Sequence, residues 1–102
     1  MNDTKRFIIA GMALVLAACG PSQKKLAEQR EKDPQYQYDK AVVCMQYGLA
    51  DEAFKYLNEA IRLDPNHYLS FNLLGLAHMY KANPAEAVKA FTNCLVIKPD
   101  FS

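Results

Sequence analysis

The 102-residue sequence has no apolar run long enough to cross a membrane and no surplus of one charge sign once its first residues are set aside. It also has none of the spaced histidine, cysteine or glycine patterns that carry chemistry. Each absence removes a class of function. The one continuous apolar stretch, residues 7–18, would reach only about 18 Å as a helix, against a hydrocarbon core of about 30 Å. That length fits the apolar part of a secretory signal, and Lys5 and Arg6 supply the positive flank such a signal needs. Of the 12 Lys+Arg and 11 Asp+Glu, this leader holds Lys5, Arg6 and Asp3, so the remainder is electrically balanced. A neutral domain without a basic patch argues against nucleic acid as a partner. His67, His78, Cys44 and Cys94 are the only residues that suggest metal or nucleophile chemistry. They fall in no Cys-x-x-Cys or His-Glu-x-x-His spacing, and no Gly-rich phosphate loop occurs. The expectation is a protein that is not an enzyme and carries no cofactor and no metal.

What is present begins at the end of the apolar stretch. Leu16-Ala17-Ala18-Cys19 resembles the lipobox of bacterial lipoproteins. The resemblance implies cleavage between Ala18 and Cys19 and a diacylglycerol on the Cys19 thiol, with Cys19 as the mature N-terminus, acylated on its amine too. Several acyl chains on one residue suffice for stable anchoring, since each buried methylene contributes about 0.8 kcal/mol. Gly20 stands where an aspartate would, by the Gram-negative sorting pattern, favour inner-membrane retention. The implied location is therefore the outer membrane, facing the periplasm. Residues 19–33 are polar and of mixed charge, with Leu26 the one large apolar side chain. They read as a spacer, able at most to form a frayed helix near Lys24–Glu31.

Beyond the spacer the chain repeats at an offset of 34. Glu52-Ala53 recurs as Glu86-Ala87, Lys55 as Lys89, Met45 as Met79 and Pro65 as Pro99. Apolar positions match in kind, Leu57 with Phe91, Ala60 with Cys94 and Ile61 with Leu95. A 34-residue period resembles the tetratricopeptide repeat, and the residues agree. Phe71 takes the family's bulky aromatic position, Leu74-Gly75 its Leu-Gly pair, Ala87 its small crossing residue and Pro99 its helix-ending proline. The first copy departs more, with Gln37 in the aromatic position and Lys40-Ala41 for Leu-Gly. The resemblance implies an all-α fold of two tandem helix-turn-helix repeats, 34–67 and 68–102, as the start of an α-solenoid. The spacing predicts four helices near 35–47, 51–63, 67–80 and 84–97. Asp33-Pro34 and Asn83-Pro84 are expected to cap helix starts, with Glu86 completing a capping box on Asn83, and Gly48 to end the first helix. Cys44 and Cys94 fall on non-adjacent helices and are expected to be free thiols. Cys44 and His78 are equivalent positions one repeat apart, about 10 Å, too far for a nucleophile–base pair. His78 takes the family's usual tyrosine position, as a packed side chain.

The family resemblance also implies a partner-binding groove lined by the first helix of each repeat. By register its positions are Gln35, Tyr38, Val42, Met45 and Gln46, then Leu69, Asn72, Leu76, Met79 and Tyr80. These are mostly apolar, with two flexible methionines, and suit an envelope protein or peptide segment with an apolar or aromatic surface. The lysine–arginine–asparagine clamp by which chaperone-binding members hold a C-terminal carboxylate is missing. Val88, Phe91, Leu95 and Ile97 give the last helix more apolar surface than one neighbour covers. The expectations there are an array that continues beyond Ser102, or self-association or partner docking through that end. In layout (lipobox, charged spacer, tandem repeats) the chain is similar to the outer-membrane pilotin lipoproteins of type IV pili, which help assemble secretin rings. An adaptor for cell-wall hydrolases, the N-terminal part of a longer envelope enzyme and a self-assembling structural protein remain open beside it.

Overall fold

A computed structural model describes residues 23–101. The expected leader, with Ala18 and Cys19, lies outside the described residues. Arg30 closes one compact unit and Glu31 opens the next. In the first, residues 23–30 are helical and exposed, Leu26 included. The second is an all-α array of four helices: α1 (Pro34–Gln46), α2 (Ala50–Leu63), α3 (Tyr68–Tyr80) and α4 (Pro84–Ile97). Among the described residues no helix is long and apolar enough to cross a membrane.

The helix ends follow local chemistry. Asp33 sits in extended backbone and its carboxylate accepts from the Gln35 amide at 3.0 Å, with Pro34 in the first turn where its missing N–H is harmless. At the other end of α1 the Leu49 amide donates to the Cys44 carbonyl (2.8 Å) and the Gly48 amide to Met45 (3.1 Å), Gly48 being left-handed at φ 72°. The same turn recurs after α3: Asn83 donates to His78 (2.8 Å) and Ala82 to Met79 (3.0 Å), with Ala82 at φ 58°. One expectation fails here. Asn83 makes no side-chain capping bond, and Glu86 reaches forward to Lys89 (3.3 Å) instead of back to form a capping box. The Asn83 position is already committed to the turn, since its own amide closes the bond to His78. An exposed Glu52–Lys55 pair (3.7 Å) stands at the corresponding place in α2, so the recurrence of these residues reflects a surface ion pair of small energetic weight.

Packing follows from small residues. The buried set of α2 is Ala50, Ala53, Leu57 and Ala60, a stripe at helical spacing. Ala41 of α1 and Ala53 and Leu57 of α2 form the centre of the core, and Tyr38, Met45, Tyr56, Leu73 and Leu74 pack around them. In the second repeat Ala87, Ala90 and Cys94 of α4 and Gly75 of α3 are buried, with Gly75 against Phe91 of α4. Gly75 is required there: a Cβ at that position would lie 2.6 and 2.7 Å from two Phe91 ring atoms. Helices pack in sequence, α1 on α2, α2 on α3 and α3 on α4, with α1 also touching α3. Cys44 and Cys94 are free thiols on α1 and α4, two helices that do not touch.

Candidate partner-binding surfaces

The ten groove candidates separate into four environments. Leu76, Met79 and Tyr80 form an exposed apolar patch at i, i+3 and i+4 on α3, with 48, 55 and 62 % of their surface accessible. Gln35 and Gln46 are exposed at the ends of α1, while Val42 and Leu69 are half-buried. Tyr38 and Met45 are committed to the core cluster, and the Tyr38 ring lies 5.6 Å from that of His67. Burial, and then the charge of Asp39, pushes the Tyr38 hydroxyl above its usual range. Asn72 is half-buried. It lines a cleft of ≈ 220 Å³ with Phe91, Cys94, Leu95 and Phe101. The first helix of a repeat serves both as groove wall and as floor for the following helix, so its outward positions cannot all stay open.

The junction between repeats is polar at one edge and aromatic at the other. His67, the residue before α3, bridges Ser70 (Nδ1 to Oγ, 2.7 Å) and the Gln35 amide oxygen (Nε2, 3.1 Å), which ties the start of repeat 2 to the start of repeat 1. His78 packs its ring 4.7 Å from Phe54, and its Nδ1 is buried without a hydrogen-bond partner. Cys44 lines a cleft between α1 and α2. Among the described residues no group of three or more His, Cys, Asp or Glu is placed to hold a metal ion. The Cys94 thiol is pushed up by burial, which keeps it protonated and poorly nucleophilic.

The opposite end of the array is guarded by charge. Tyr36, Asp39, Lys40, Val43 and Cys44 of α1 and Tyr56 of α2 line a ≈ 410 Å³ cleft. The Lys40 ammonium sits over the rings of Tyr36 (4.8 Å) and Tyr56 (4.7 Å) and pairs with Glu31 at 3.1 Å. Gln37 is 3 % exposed, and its amide nitrogen donates to the carbonyl and the carboxylate of Glu31, both at 2.9 Å. The two departures of repeat 1 from the family pattern, Gln37 and Lys40, are thus answered by one residue. Sequence reasoning had placed Glu31 in the spacer. The signal that could have found it is the pair itself: a polar and a charged residue at core positions need a partner nearby.

No curated protein sequence matches the chain. The tetratricopeptide repeat pattern matches twice, over residues 34–67 and 68–101, in the same register as the two copies of the turn and of the surface ion pair. Those segments make up most of the chain, and their helices pack as consecutive repeats. The protein belongs to the tetratricopeptide repeat family.

Proposed function

We propose that this protein is a non-catalytic adaptor of the bacterial envelope, anchored by lipid on Cys19 and binding another envelope protein through its repeats. The repeat architecture supports the interaction role, and the observation that carries it is the Leu76–Met79–Tyr80 patch. Three large apolar side chains are held 48–62 % open to solvent on a helix that also carries the buried Ser70, Gly75 and Ala77. Methionine and tyrosine there give adaptable apolar contact with a polar tip, a chemistry suited to an apolar or aromatic segment of a partner. The anchoring role rests on the sequence Leu16-Ala17-Ala18-Cys19 at the end of an apolar leader. Outer-membrane placement rests on Gly20, and a part in pilus secretin assembly on the similar layout of pilotin lipoproteins.

Two measurements test it. Labelling cells with radioactive palmitate should mark the native chain and leave Cys19→Ala unlabelled and free of the membrane fraction. Equal labelling of both would remove the anchor. Crosslinked complexes recovered from envelope extracts should be lost from Leu76→Glu/Met79→Lys while its helical circular dichroism and melting stay native. Unchanged recovery would remove the patch from the binding role.

A further inference from the structure

Tyr36, Lys40 and Val43 of α1 and Tyr47, the residue after it, form one stripe at i, i+4, i+7 and i+11. Their register counterparts on α3 are Ser70, Leu74, Ala77 and Lys81. On α3 that side is packed: Ser70 and Ala77 are fully buried, and Leu74 joins the core cluster. On α1 it is open, with Val43 50 % and Tyr47 77 % exposed. Tyr56 of α2 lines the ≈ 410 Å³ cleft together with Tyr36 and Val43, which widens the stripe into a face.

The side chains decide what kind of surface this face can meet. How closely two helices approach depends on the side chains at their contact, and α3 offers a serine and an alanine at its buried positions. α1 has a tyrosine and a valine in those places, and a lysine in place of Leu74. A helix packed there would also strip water from Lys40, which pairs with Glu31 at 3.1 Å, and from Asp39, which accepts from Gln35 at 3.0 Å. A lipid headgroup layer rearranges around its guest and needs no such fit. Tyrosine and lysine suit it, each with an apolar body that lies at the border and a polar tip that stays wet.

The course of the chain leads to the same surface. The compact unit opens at Glu31, whose carboxylate is bonded to Gln37 and to Lys40 of this face. Twelve residues separate Glu31 from Cys19, a reach of at most about 43 Å extended and about 18 Å as a helix. A lipid on Cys19 would hold this face near the bilayer, where a weak contact is favoured by local concentration.

We infer that the Tyr36–Val43–Tyr47 face, with Tyr56 beside it, lies against the headgroups of the membrane to which the chain is tethered. The inference rests on the anchor proposed at Cys19. The first repeat, and not the tether alone, then fixes how the array stands on the membrane.

The test places a single tryptophan in a sequence that has none. The lipid-bearing full chain with Tyr47→Trp is reconstituted in phosphatidylcholine–phosphatidylethanolamine vesicles, and Val96→Trp, on exposed α4, is the control. Brominated phosphatidylcholine should quench Tyr47→Trp about twofold and leave Val96→Trp unchanged. Adding Val43→Asp to Tyr47→Trp should abolish the quenching while the chain still floats with the vesicles. The inference is overturned if a floating chain shows no quenching at Tyr47→Trp, equal quenching at both positions, or quenching indifferent to Val43→Asp. Emission that is blue-shifted yet unquenched would overturn it in favour of a face covered by protein. A chain that does not float removes the anchor, and the inference with it.

Discussion

Ala82 and Gly48 hold the same place in two copies of one turn, and only one of them suits it. Both are left-handed, at φ 58° and 72°, a region that an alanine enters at a penalty of about 1–2 kcal/mol and glycine enters freely. Ala82→Gly should therefore stabilise the fold by about 0.5–1 kcal/mol, the relief of strain outweighing the greater freedom of glycine in the unfolded chain. A urea midpoint that falls would contradict this. Gly75 and Phe91 make the converse case. Repeat 1 fills the equivalent space with Ala41 and Leu57, so each repeat joins a smaller residue to a larger one. Gly75→Ala alone drives a methyl into the Phe91 ring and should cost about 1–3 kcal/mol. Gly75→Ala/Phe91→Leu rebuilds the repeat-1 pair and should recover about 1 kcal/mol or more relative to the sum of the single changes, measurable as a double-mutant cycle. Gly75, as half of the Leu-Gly pair, and Ala87, as the small crossing residue, were legible in the sequence. The strain at Ala82 was not, because an alanine bears no mark of its φ; only its register with Gly48 exposes it.

At the scale of the helix, the repeat period made the four elements legible to within a residue at every end, since apolar spacing and Pro/Gly punctuation act locally. The N-terminal face of α1 was not legible, because its logic lies in Glu31, a residue outside the repeat. Glu31 accepts from Gln37 and from Lys40, and these bonds, Gln37 first, hold its carboxyl below the ordinary value of 4.5. A carboxylate with a depressed folded pKa stabilises fully above its unfolded pKa, and that contribution is lost as pH falls through the folded value. Acidification from about pH 6 to about pH 3 should thus loosen the start of α1, with a steeper fall of Tm in the native chain than in Glu31→Gln. Glutamine keeps an oxygen for Gln37 but does not titrate. Parallel Tm profiles for the two proteins would show that the latch carries no weight. The groove suffered from a different ambiguity. A stripe at helical spacing reads the same whether it faces a partner or the next helix, and Tyr38 and Met45 proved to face inward while Leu76, Met79 and Tyr80 face out.

Over the whole array, stability is distributed unevenly because neighbours are. Among the described residues, α3 packs on α1, α2 and α4, whereas α4 packs on α3 alone. In such linear arrays the stability of a unit is close to its own contribution plus that of its nearest interfaces. Among the described residues α4 has one helix interface, and Val88 and Leu95 on its outer side are exposed. What ties its end down is slight: Phe101 edge-on to Tyr68 at 5.4 Å, and Lys98 over the same ring at 4.9 Å. Native-state hydrogen exchange should accordingly show α4 amides opening at lower free energy than those of α2 and α3, as a sub-global unit rather than by whole-chain unfolding. Leu57 is fully buried at the centre of the core, with α3 leucines packed on it, so Leu57→Ala should remove about 2–5 kcal/mol and bring the α2 and α3 amides down to the α4 level. A chain in which α4 is protected as strongly as α2 before that change would mean that its outer face is already covered, and the nearest-neighbour account of the array would have to be given up.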